Sequence, residues 1–97
     1  MLDAVENLQL FKITNRALVV WKVKEKSRSH IKQFKLNIYI IKGETEIKLN
    51  SLTLPRTMRA YLYSRRQAIN KKLKIVLVPV LKDNIEGIPK TEMISLI

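Results

Sequence analysis

His30 is the chain's only histidine, and there is no cysteine. Thiolate catalysis, disulfides and zinc–thiolate sites are therefore excluded. His30 lies inside a basic stretch with no carboxylate at a recognisable spacing, and it reads as a surface histidine. Two carboxylate pairs, Glu44 with Glu46 and Asp83 with Glu86, have the residue types of a metal-dependent nuclease. Both pairs lie in or beside turns, and neither has a third acid or a histidine in register. Asp83-Asn84 is a common turn pair, so turn chemistry accounts for it. Gly43 and Gly87 are isolated, which leaves no glycine-rich phosphate loop. The expectation is a protein that is not an enzyme, with no cofactor and no metal.

The cations are the residues that could do something. The net charge is +11, and it is segregated. Residues 22–35 hold six basic side chains and one acid, and residues 53–72 hold six and none, so the rest of the chain is balanced. In the first segment Lys22, Lys24, Lys26, Arg28, His30 and Lys32 all occupy even positions. An extended backbone would project them from one side of a ribbon, with Ser27-Arg28-Ser29-His30 at the tip and Lys35 on the return strand. In the second segment Arg56, Arg59, Tyr63, Arg66 and Asn70 follow spacings of three and four, which place them on one face of a helix that Lys71 and Lys72 close. Two basic segments in one small domain point to a polyanion. Tyr39, alternating outward with Lys35 and Asn37, and Tyr63, among arginines, are candidates for base or phosphate contact. Trp21, between Val19 and Val23 at i±2, reads as core.

The elements that would position these residues follow from periodicity. Residues 1–7 read as a loose tail or short turn within a single domain of 1–97. From Leu8 the chain has period two, interrupted at Thr14-Asn15-Arg16 and resuming over 17–25. Residues 33–41 alternate with Phe34, Leu36, Ile38 and Ile40 inward. Gly43 turns the chain into a strand over 45–50. The segment 53–72 carries the helical pattern, with Thr53 as N-cap, Pro55 in the first turn and Met58, Tyr61, Leu62, Ala68 and Ile69 packing inward. Six cations with no acid at i±4 give this helix no internal electrostatic relief. Residues 73–81 form a dense apolar run rich in β-branched residues, a buried strand in which Pro79 demands a bulge or an unpaired side. Residues 82–90 loop into a last strand over 91–97.

This order predicts an α+β fold: a small, mostly antiparallel, OB-like barrel of five to six strands with one α-helix over about 54–72. A long first strand bent at Asn15 would serve both halves of the barrel; two separate strands there would favour a six-stranded sheet or an SH3-like barrel. No apolar run approaches the length of a membrane span, and the acidic start does not resemble a signal peptide. The expected setting is intracellular, cytoplasmic or nucleoid-associated, and the Lys- and Ile-rich, glycine-poor usage resembles that of thermophiles. The expected function is nucleic-acid binding, DNA ahead of RNA, through Lys22, Lys24, Lys26, Arg28, Lys32, Lys35, Tyr39, Arg56, Arg59, Tyr63, Arg66, Lys71 and Lys72. The competing reading is a small basic subunit of a replication, polymerase or ribonucleoprotein complex, docking an acidic protein partner or using the edge strands 45–50 and 91–97. No bulky amphipathic helix recommends a membrane partner.

Overall fold

The computed structural model describes residues 2–97 and contains seven strands and two short 3₁₀ turns. They are β1 (Val5–Ile13), β2 (Arg16–Val23), β3 (Ile31–Lys42), β4 (Thr45–Pro55), β5 (Ala60–Tyr63), β6 (Lys72–Leu81) and β7 (Lys90–Ser95). The turns occupy Glu25–His30, between β2 and β3, and Arg66–Ala68, between β5 and β6. All pairing is antiparallel, in a three-stranded sheet of order β1-β2-β5 and a four-stranded sheet of order β4-β3-β6-β7. The two open sheets share one core, so the expected OB-like barrel and its α-helix are both overturned. No helix among the described residues is long and apolar enough to cross a membrane.

The alternation of each strand explains how the layers meet. Ala17, Val19 and Trp21 of β2 are buried, as are Phe34, Leu36, Ile38 and Ile40 of β3 and Leu73, Ile75 and Leu77 of β6. Trp21 from the first sheet packs edge-on against Phe34 from the second, with ring centroids 5.5 Å apart. Thr14-Asn15 makes a two-residue hairpin turn in place of a bend in one long strand, and Thr14, not Asn15, takes positive φ, at 57°. The bulge in β1 falls between Glu6 and Gln9, where Asn7 has φ 54°. Pro79 is tolerated because the β6–β7 ladder stops at Leu77, two residues before it.

The segment expected to be helical is extended where it matters. Leu52 and Leu54 of β4 lie opposite Leu36 and Phe34, and Tyr61 and Tyr63 of β5 lie opposite Val19 and Ala17. A helix would have buried Leu62. In the strand Leu62 faces outward beside Leu18 and is 40% exposed. Aromatic and β-branched residues favour a pleated surface, and the period-two pair Tyr61/Tyr63 prevailed over the looser helical spacing. Leu62→Ala should therefore cost about 1 kcal/mol or less, a value that chemical denaturation would measure.

Of the expected loose tail over residues 1–7, Met1 lies outside the described residues, and Leu2–Val5 are tied down. Ala4 and Val5 are buried, the Ile88 amide donates to the Leu2 carbonyl (3.0 Å), and the Lys24 amide donates to that of Ala4 (2.9 Å). Asp3 pairs with Lys24 at 3.2 Å and with Lys90 at 3.0 Å. Hydrogen bonds from Lys90 and then Lys24 hold its carboxyl below the usual value. Gly87 locks this corner, since its amide donates to Pro79 (2.8 Å) and a Cβ there would stand 2.7 Å from the Leu2 carbonyl oxygen. Backbone must move to admit it. Gly87→Ala should lower stability by about 1–3 kcal/mol, visible as a fall in the thermal midpoint.

Candidate nucleic-acid interface

The even-numbered ribbon does not exist. After Val23 the chain leaves β2 and winds into the turn Glu25–His30, burying Ser27. Lys22 stays exposed on the outer side of the three-stranded sheet, opposite Glu6. Lys24 turns inward to Asp3 and is partly buried. Lys26 and Arg28 are exposed on the turn, and Arg28 lies 3.4 Å from Glu25. Lys32 donates to Asn84 Oδ1 at 2.7 Å. The helical face of the second segment is equally dispersed. Arg56 and Arg59 sit at the end of the sandwich where β5 starts, and Arg66, Asn70 and Lys71 at the end where it finishes. Tyr63 points into the core, 1% exposed, and its hydroxyl donates to Asn50 Oδ1. Burial, above all, pushes that phenol up to about 12. It can touch no ligand.

In place of a basic ribbon and a helix face, the fold brings together two basic surfaces. The first is an arginine pocket at the end where β2 leaves for β3. Arg28 from the turn, and Arg56 and Arg59 from the β4–β5 connection, line a cavity of about 270 Å³ with Ser29 and Thr57. Arg59 is held by its own chain: its carbonyl accepts the Trp21 amide (3.0 Å), and Nη1 donates to the carbonyls of Arg56 (2.7 Å) and Met58 (2.8 Å). Its guanidinium lies 5.8 Å from the centre of the Phe34 ring. Burial, and then the like charge of Arg28, lower its proton affinity, although a guanidinium stays charged regardless.

The second surface is the outer face of the four-stranded sheet. Lys35, Asn37, Tyr39 and Ile41 alternate outward along β3. The register sets Lys48 of β4 and Lys74 of β6 directly on either side of Tyr39. Their ammonium groups lie 6.0 and 5.5 Å from the ring centroid, within cation–π range. Lys72 follows beside Ile41, and the Ser51 hydroxyl donates to Asn37 Oδ1 at 2.8 Å. Carboxylates partly neutralise this face: Glu86 meets Lys35 and Glu46 meets Lys74, each at 3.1 Å. Lys48 and Lys72 have no carboxylate within 4 Å among the described residues. Sequence reasoning missed Lys48 and Lys74 because only the strand register brings them to Tyr39. Their outward alternation was the available signal.

β3 connects the two surfaces. It begins next to the arginine end, where Gln33 pairs with Pro55, and carries the outward series from Lys35 to Ile41. Lys35 to Tyr39 spans about 13 Å at a strand's rise of about 3.3 Å per residue.

Three of the four carboxylates weighed for catalysis have other partners, and Glu44 lies exposed in the β3–β4 turn. Glu46 and Glu86 pair with lysines, and Asp83 Oδ1 accepts the Ile85 amide at 3.1 Å. His30 is exposed and lines a separate cavity of about 390 Å³ with Leu2, Leu81, Lys82 and Asp83. No cluster of three or more potential metal ligands occurs among the described residues. No protein-family model matches the chain, and a search of curated proteins finds no match to it.

Proposed function

We propose that this protein is a non-catalytic nucleic-acid-binding module that grips the phosphate backbone with little sequence specificity, favouring DNA over RNA. The observation that carries the reading is the outer face of the four-stranded sheet, where Tyr39 stands between Lys48 and Lys74 in a row with Lys35 and Lys72. A single strand laid along β3 would set phosphates on the lysines and one base against Tyr39. Stacking there displaces one ammonium from the ring toward a phosphate. An open sheet face with one aromatic suits an unpaired strand better than a duplex, whose bases are already stacked. Such a protein works where nucleic acid is, in the cytoplasm or on the nucleoid.

The test is a comparison of single-stranded DNA, duplex DNA and structured RNA at low salt. Single strands should bind best, and Tyr39→Ala should weaken them by about 1–3 kcal/mol, the range for one base–aromatic stack. No retention of any of the three would end the proposal.

A second reading, an accessory subunit acting through protein contacts, draws on the opposite sheet. Its outer face exposes Phe11, Ile13 and Leu62 at 39–47%, beside half-buried Leu18 and Val20. Recovery of a stable protein partner that survives nuclease treatment would favour it.

A further inference from the structure

The arginine pocket has no role in a strand lying along the sheet, yet it gathers three guanidinium groups around one recess. Arg28, Arg56 and Arg59 converge from two separate segments, and no carboxylate lines the cavity between them. Arg28 has one acid, Glu25, at 3.4 Å, and both partners of that pair are well exposed; Arg56 and Arg59 have none within 4 Å among the described residues. Arg59 is also half-buried over Phe34. Two backbone carbonyls accept from its Nη1, but a partly desolvated guanidinium beside the like charge of Arg28 still gains from an anion in the recess.

Arginine forks match phosphate oxygens in pairs, so a phosphoryl group is the natural counterpart. The kind of phosphate follows from charge and shape. An internal phosphodiester carries a single negative charge and needs the chain to pass through on both sides. A phosphomonoester carries about −1.5 to −2 at neutral pH and three free oxygens, which suits three cations around a recess. Next door, sharing Arg28 and Arg59, is a second cavity of about 570 Å³. Val20, Trp21, Val23 and Ala60 supply its apolar wall, with exposed Glu6, Lys22 and Glu25 completing the lining. Trp21, 1% exposed, backs this wall from the core. Those carboxylates disfavour a second phosphate there, while the apolar wall suits a sugar or base.

We infer that the Arg28–Arg56–Arg59 pocket holds a terminal phosphoryl group, the phosphomonoester at the end of a nucleic-acid strand, with the terminal nucleoside in the adjoining Trp21 cavity. The inference rests on the nucleic-acid reading for the remainder of the strand. It makes the protein a reader of strand ends rather than a uniform coat.

Trp21 is the only tryptophan, so its fluorescence reports on the pocket's neighbour. The experiment titrates the whole protein with a short oligothymidylate bearing a 5′-phosphate, a 3′-phosphate or neither, and separately with inorganic phosphate. One phosphorylated end should bind about tenfold or more tightly than the hydroxyl-ended strand, as charge-assisted hydrogen bonds allow. Its binding should change Trp21 emission, and inorganic phosphate should compete with that strand more than with the unphosphorylated one. Arg56→Gln, at an exposed turn position, and Arg59→Gln should each bring the ratio close to one, with native folding checked by the thermal midpoint. Equal affinity for all three oligonucleotides overturns the end-pocket inference and leaves the sheet-face reading standing. Phosphate binding that depends on Arg56, without retention of any oligonucleotide, overturns the nucleic-acid reading and keeps the anion site. Neither binding overturns both.

Discussion

Raising monovalent salt from 50 to 200 mM should weaken oligonucleotide binding by roughly 250- to 4,000-fold, a log–log slope of about −4 to −6, if about six phosphates are neutralised. The origin is counterion release: each cation that replaces a condensed ion on the strand adds about 0.7 to the slope on single strands and about 0.9 on duplex. The ion pairs decide which side chains contribute. Lys48, Lys72, Arg56 and Arg59 have no carboxylate within 4 Å among the described residues, so their charge is available in full. Lys35 and Lys74 must first leave Glu86 and Glu46. Exchanging one exposed ion pair for another gains little. Lys48→Ala combined with Lys72→Ala should thus flatten the single-strand slope by about 1.4, more than Lys35→Ala with Lys74→Ala. Lys12→Ala is the control. Its ammonium donates to the Ile97 carbonyl (2.9 Å) from β1 of the other sheet, and its loss should leave the slope unchanged. A slope near zero would mean that the positive charge serves something other than phosphate.

How much of this surface could be read in advance depended on distance along the chain. The alternation in β3 was legible down to its inward and outward residues, because Phe34, Leu36, Ile38 and Ile40 repeat at the period of a pleat. Tyr39 and Lys35 were therefore placed on the outward side without coordinates. Their partners were not, since Lys48 and Lys74 reach Tyr39 only through two strand registers, one with a bulge between Ile38 and Tyr39. The false helix has a different cause. Arg56, Arg59, Tyr63 and Arg66 satisfy a helical spacing, but the same residues contain Tyr61 and Tyr63 at strand spacing, and the second pattern has a sheet to pair with. The missing acids were the warning. A surface helix with six cations lacks the i,i+4 pairs that support one, and the chain resolves this by splitting those cations between opposite ends of the sandwich. The basic ribbon failed for a related reason. Its even-numbered series assumed an extended backbone through Ser27-Arg28-Ser29-His30, where the chain crosses from one sheet to the other on a 3₁₀ turn.

Phe34→Ala should destabilise the protein by about 3–5 kcal/mol, the usual range for losing a buried phenyl group. Phe34 is fully buried, flanked by Leu54 and Pro79 on the neighbouring strands, and meets Trp21 across the gap between sheets. Its side chain reaches both layers and the arginine end. Edge-to-face aromatic contacts add about 0.5–1.5 kcal/mol beyond area burial, so Phe34→Leu, which refills most of the volume, should still lose roughly that much. For a domain of about 100 residues each kcal/mol moves the melting point by about 4–8 °C, which makes the alanine variant a shift on the order of 20 °C. The arginine pocket registers the same change, because the ring lies beneath the Arg59 guanidinium. Without that platform Arg59 gains solvent and rotamer freedom, and the three cations can relax apart. Phe34→Ala at a temperature where it remains folded should therefore lose the preference for a phosphorylated strand end while Tyr39 and the lysines of the outer sheet face still bind the strand. Phe34→Leu, with Arg59 still resting on an apolar surface, should keep more of it. A loss below about 1 kcal/mol on Phe34→Ala would show that the two sheets do not share a core at this point, and the pocket that depends on their packing would lose its foundation with it.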